Sequence, residues 1–129
     1  MQNRSRPALT RDQALTERVR AALGRLPRVA ERKMFGGICF MVNGKMCITV
    51  GHGRLMCRID PDQHDAAVKR KGARTVRMKG RAYRGFVFVR ADAVRTTRAL
   101  DYWVGLCLEF NGRAKSSRKR PSSRRRVKG

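Results

Sequence analysis

Residues 36–59 read GGICFMVNGKMCITVGHGRLMCRI. Apolar runs are broken there by Asn43-Gly44 and by Gly51-His52-Gly53. Asn-Gly suits a two-residue hairpin turn, because both residues tolerate the positive φ that such a turn imposes. That turn sets Val42 opposite Lys45, Phe40 opposite Cys47 and Ile38 opposite Thr49. Taken as a three-residue loop, the second turn sets Val50 opposite Arg54 and Cys47 opposite Cys57. An antiparallel meander results. One face carries Ile38, Phe40, Val42, Cys47, Leu55, Cys57 and Ile59, and is the expected core face. The other carries Cys39, Met41, Met46, Ile48, Val50 and Met56, flanked by Arg54 and Arg58. A two-residue second turn would reverse the third strand, since side chains alternate with period two.

Working outward, Thr10 with Gln13 forms a capping box ahead of Leu15, Val19, Ala22, Leu23 and Leu26 at helical spacing, and Pro27 ends that helix. Asp60-Pro61 starts a second helix through an N-cap acid and a first-turn proline, running to about Lys71 before Gly72. Thr75 to Met78 and Phe86 to Val89 read as strands around a Lys79-Gly80-Arg81 turn. Leu100, Trp103, Val104, Cys107 and Leu108 give a final helix one apolar stripe, closed by Asn111-Gly112. The order α-β-β-β-α-β-β-α, with a mostly antiparallel sheet, predicts a two-layer α+β domain. The expected division is a disordered basic leader over residues 1–9, the domain over 10–112 and a disordered Arg/Lys-rich tail over 113–129.

The formal net charge is +23, from 32 Lys/Arg against 9 Asp/Glu. The tail, RAKSSRKRPSSRRRVKG, has nine of those cations, no acid, and Val127 as its one sizeable apolar residue. Such a segment cannot bury enough apolar surface to order itself, and its natural partner is a polyanion. The candidate nucleic-acid contacts are Arg113, Lys115, Arg118, Lys119, Arg120, Arg124, Arg125, Arg126 and Lys128. A second group, Arg77, Lys79, Arg81, Arg84 and Arg90, surrounds the Gly80 turn, with Tyr83 interleaved as a stacking surface. No helix-turn-helix, zinc finger or RNA-recognition motif is visible, so binding should be non-specific and salt-sensitive.

Cys39, Cys47, Cys57 and Cys107 follow no C-x-x-C or Cys/His spacing, which predicts reduced, buried thiols and no metal site. No leader with an apolar core and no bilayer-length apolar run is seen, so a cytoplasmic location without membrane contact is expected. Gly36-Gly37 precedes a strand, not a helix, and reads as a tight bend in preference to a phosphate loop. His52 and His64 lack a partner acid or nucleophile at useful spacing, and Asp60, Asp62 and Asp65 fit helix capping. No catalytic residue and no cofactor are expected.

The segment Glu31-Arg32-Lys33-Met34-Phe35-Gly36-Gly37, followed by Ile38 to Gly44, closely resembles the N-terminal domain of the competence-regulator family TfoX/Sxy. Leu55 to Pro61, Gly80 to Val89 and Trp103-Val104 agree in order, so the resemblance covers roughly residues 12–112. Arg32, Met34, Phe35, Gly36, Gly37, Gly80 and Gly85 carry the motif. The resemblance implies a TfoX-N-like fold of secretion-chaperone-like architecture, standing alone, with a basic tail in place of the family's second domain. It implies a bacterial, non-enzymatic regulatory or interaction module with a transcription-related role, and carries over no catalytic residue. The alternative is a pure partner-binding module in which the tail serves solubility or localisation. Met41, Met46, Ile48 and Met56, placed together on the second sheet face, are the expected interface, either with an unidentified protein partner or in a homodimer.

Overall fold

The computed structural model describes residues 9–34 and 36–114. Helix α1 spans Arg11–Ala22. Its capping box forms: Gln13 N–H donates to Thr10 Oγ1 at 3.0 Å, and Thr10 N–H donates to Gln13 Oε1 at 2.8 Å. Strands β1 (Val29–Met34), β2 (Gly37–Val42), β3 (Lys45–Gly51) and β4 (Arg54–Arg58) follow. A 3₁₀ turn at Pro61–Gln63 leads into α2 (His64–Ala67), then β5 (Ala73–Met78) and β6 (Arg81–Arg90). A second 3₁₀ turn, Ala91–Val94, precedes α3 (Thr97–Asn111). The six strands form one sheet in the order β1-β2-β3-β4-β6-β5, and every neighbouring pair is antiparallel. The fold is α+β, as predicted, with one strand more than the sequence pattern suggests. β1 escapes that pattern because it is an edge strand whose residues 30–33 are exposed, so apolar alternation is missing.

Three two-residue turns have positive φ at both positions: Asn43-Gly44 (54° and 76°), His52-Gly53 (55° and 75°) and Lys79-Gly80 (54° and 75°). These are the signs that type I′ hairpins require. The second of them corrects the expected meander. Gly51 is the last strand residue and pairs with Arg54, so Val50 lies opposite Leu55. The first hairpin begins as expected, with Val42 opposite Lys45, but the register shifts between Phe40 and Met41. Beyond this bulge Phe40 lies opposite Ile48, not Cys47, and Ile38 opposite Val50, not Thr49. Cys57 therefore faces Ile48. One extra residue at a bulge and one fewer in a turn move Ile48 and Val50 to the core face.

That face packs Phe40, Ile48, Val50, Leu55, Cys57, Val87 and Val89 against Leu15, Val19 and Leu23 of the α1 segment and Leu100, Trp103, Val104 and Cys107 of α3. Ile48 has no exposed surface, and burial of such a side chain contributes on the order of 2 kcal/mol. Cys47, Cys57 and Cys107 all belong to this core, and all four cysteines are buried free thiols. Burial, reinforced by Cys47 and Cys57, pushes the Cys107 thiol well above its usual range, which suppresses the reactive thiolate.

Asn111 fastens the end of α3 to the first hairpin. Its Nδ2 donates to Val42 O at 3.1 Å, and Lys45 Nζ donates to Asn111 O at 2.7 Å and Ala114 O at 3.0 Å. Ala114 is buried. The packed domain thus continues through Ala114, past the boundary expected at Gly112.

His64 is buried with both ring nitrogens engaged. Gly85 N–H donates to Nδ1 at 2.9 Å, and Nε2 lies 2.9 Å from Thr75 Oγ1. Nδ1 as acceptor requires the neutral ring, protonated on Nε2. Burial, then the Arg84 charge, holds the His64 pKa below its ordinary 6.5. Below that ordinary value the unfolded chain takes up a proton that the folded chain resists. The resulting stabilisation is complete above the unfolded value and is lost as pH falls through the folded one. Urea midpoints should fall between pH 7.5 and 5 in the parent. In His64→Gln the midpoint should be lower at pH 7.5, by about 1–3 kcal/mol in stability, and flatter over the same interval. An equally steep decline in the variant would assign the effect elsewhere.

Candidate nucleic-acid interface

Charge divides between the layers. The strands carry Arg32, Lys33, Lys45, Arg54, Arg58, Arg74, Arg77, Arg81, Arg84 and Arg90, and a single acid, Glu31. Glu31 is engaged by α1: Arg20 Nε lies 2.6 Å from its Oε2, and this pairing holds the carboxyl below its usual range. The other eight acids lie in the helices and connecting turns.

The sheet face away from α1 and α3 is built by alternation. Leu55, Cys57, Val87 and Val89 point into the core, so Arg54, Met56, Phe88 and Arg90 lie on the other face, while the Arg58 guanidinium, 5.9 Å from the Phe86 ring centre, also reaches to 5.8 Å from that of Phe110 on α3. Pairing sets Met56 opposite Phe88, and Phe88 opposite Arg74. The Arg54 guanidinium stacks 3.6 Å above the Phe88 ring centre, and that of Arg74 lies 5.6 Å from it. Burial, then the Arg74 charge, lowers the Arg54 pKa. Beside this stack is a cleft of about 310 Å³ lined by Thr49, His52, Met56, Arg77 and Met78. On the other side of Arg54 lies a cavity of about 600 Å³ bordered by Arg11, Arg74 and Arg90.

The residues expected to bind nucleic acid are divided by this arrangement. Arg77 lines the cleft. Lys79 and Arg81 are exposed around the β5–β6 turn. Arg84 is engaged with Asp65 at 3.0 Å, and Tyr83 is half-buried opposite Val76. Arg113 is neutralised on the domain by Asp60 at 2.9 Å and Glu109 at 2.8 Å. Lys115, Arg118, Lys119, Arg120, Arg124, Arg125, Arg126 and Lys128 lie outside the described residues, as does the leader up to residue 8. Arg54, Arg74 and Phe88 were not singled out from sequence as contacts, and Arg90 was expected only as part of the group around the Gly80 turn. Their alternation is legible within each strand, but their meeting depends on β4–β6 pairing between residues about thirty apart.

The expected apolar interface does not assemble. Ile48 belongs to the core, and Met41 and Met56 are only 9% and 8% exposed. Met46, half-buried, pairs with Met41 beside the bulge. The large exposed apolar residues among those described, Leu9, Leu26 and Met78, form no face.

The motif glycines have structural roles. Gly36 has φ of 74°, and a Cβ there would come 2.6 Å from His52 Nε2. At Gly37 a Cβ would meet the backbone of Val50 and Gly51, 2.8 Å from Val50 C and 2.9 Å from Gly51 Cα. The pair is a bend plus a close backbone approach. Gly80 completes its turn, and Gly85 has φ of 92° with its N–H on His64. Met34 pairs with Gly37 and Arg32 with Cys39, while Phe35 is outside the described residues.

Among the described residues no group of three or more His, Cys, Asp or Glu is placed to hold a metal ion, and no helix is long and apolar enough to cross a membrane. No match to the chain was found among curated proteins or among solved structures. The family model for the TfoX N-terminal domain matches residues 21–111. That span takes in the bend at Gly36-Gly37, all three two-residue turns and the docking of Asn111, and the chain belongs to the TfoX N-terminal domain family.

Proposed function

We propose that this regulatory or interaction module of the TfoX N-terminal type acts by binding, without catalysis, and engages nucleic acid electrostatically in the cytoplasm. The observation that carries this reading is the separation of charge: ten cations and one acid on the strands, followed by a tail whose residues 115–128 add eight cations and no acid. Each phosphate contact releases condensed counterions, so such a chain gains affinity for any nucleic acid without reading bases. The family membership supports the regulatory part of the reading. The tail is the main source of affinity through the eight cations of residues 115–128, which have no acid among them, and not through Arg113, which is committed to Asp60 and Glu109.

The test is binding of the full chain to several duplexes of unrelated sequence and equal length at one salt concentration. Affinities should agree within about threefold, since each specific base contact would add about 1–3 kcal/mol for its own sequence. A preference of a hundredfold for one duplex, or no binding at 50 mM salt, would overturn the proposal.

A further inference from the structure

Arg54 and Arg74 share one aromatic ring, with guanidinium carbons 3.6 and 5.6 Å from the Phe88 centre. Neither has a carboxylate partner among the described residues, in contrast to Arg20, Arg84, Arg90 and Arg113. The acid bordering this region, Asp92, is held by Arg90 at 3.1 Å. Two like charges are thus brought together, one of them half-buried, with no anion between them. Stacking on Phe88 uses the flat face of the Arg54 guanidinium and leaves its in-plane N–H edge open for bidentate bonding to an oxyanion.

We propose that Arg54 and Arg74 form a clamp for the phosphate of one nucleotide unit, whose base enters the neighbouring cleft. This rests on the nucleic-acid reading above and extends it to a defined place on the folded domain. The cleft volume, about 310 Å³, is at the lower end of the range for small-ligand sites. Met56, Met78 and the edge of Phe88 give it apolar walls, while Thr49 and His52 supply polar groups. Arg77 lines the cleft with Arg54, and Arg11 borders the cavity that Arg54 and Arg74 also line, where Arg90 is committed to Asp92. These flanking cations continue the path for a chain of phosphates. A base can enter only when unstacked, so the site selects single strands over duplexes. A nucleoside 5′-phosphate unit is the recognised chemistry, and either a strand or a free nucleotide can present it.

The experiment is equilibrium dialysis of labelled adenosine 5′-monophosphate against four full-length chains. These are the parent, R54Q/R74Q, Phe88→Leu, and a chain with all Lys/Arg of 115–128 replaced by Gln. The parent should bind one equivalent. R54Q/R74Q should bind at least tenfold more weakly, Phe88→Leu should also lose affinity, and the tail-neutralised chain should match the parent. Unphosphorylated adenosine should bind at least tenfold more weakly than the monophosphate. With the tail-neutralised chain, a single-stranded tetranucleotide binding tighter than the monophosphate identifies a strand as the source, and no gain identifies the free nucleotide. Saturation failure in the parent, undiminished binding in R54Q/R74Q, or loss on tail neutralisation would overturn the clamp. Circular dichroism checks the fold of each variant. If R54Q/R74Q does not fold, Arg74→Gln alone, at an exposed position, decides the matter by the same tenfold criterion. Duplex binding by the parent, measured in parallel, separates the two readings: if it persists while the monophosphate fails, only the clamp falls.

Discussion

Gly37→Ala is expected to destabilise the domain by on the order of 3–5 kcal/mol, enough to unfold much of it at 37 °C. The added methyl would press on the backbone of Val50 and Gly51, at the central strand β3. Neither neighbour is a flexible side-chain end, so relief requires β2 to separate from β3 and to lose ladder bonds around Ile38 and Val50. Gly36→Ala should cost less, about 1–2 kcal/mol, because its strain is a positive φ and a contact with a side chain, the His52 ring, in place of backbone. Gly44→Ala adds a methyl into open space at φ of 76° and isolates the backbone term. Urea midpoints of the three variants should therefore rank Gly37→Ala lowest. If Gly37→Ala were as stable as Gly44→Ala, the close approach of the two strands would not be what the glycine serves.

Replacing the eight Lys/Arg of residues 115–128 by Gln in the full-length chain is expected to weaken duplex binding about a hundredfold or more at 50 mM salt. Arg113→Gln should leave that affinity within about threefold, because its charge already serves Asp60 and Glu109. Fluorescence anisotropy with a labelled duplex reads both. Equal losses from the two variants would mean that Arg113 leaves its carboxylates for phosphate and that the rest of the tail contributes little.

Local signals were legible in the sequence where one segment contains all that is needed. The Thr10–Gln13 capping box, the Asn43-Gly44 turn and the stripe Leu100, Trp103, Val104, Cys107 are of this kind. Strand register was not. A bulge at Phe40/Met41 and strand membership for Gly51 each displace the alternation by one residue. Ile48 thereby belongs to the core, and Ile48→Glu should unfold the domain instead of dissociating a dimer. β1 was hidden because edge position lets its residues 30–33 be exposed. The stack of Arg54, Phe88 and Arg74 was hidden because β6 lies between β4 and β5, an order that no local pattern encodes. The basic tail, by contrast, is apparent from composition alone.

The binding account is tested most directly by the salt dependence of duplex affinity. If about six tail cations engage phosphate, the parent should show log K falling against log salt with a slope near −5, a loss of about a thousandfold between 50 and 200 mM. The chain with residues 115–128 neutralised should show a slope no steeper than about −2, as expected if about two of the sheet's ten cations engage phosphate at once. Identical slopes and affinities for the two chains would contradict the account.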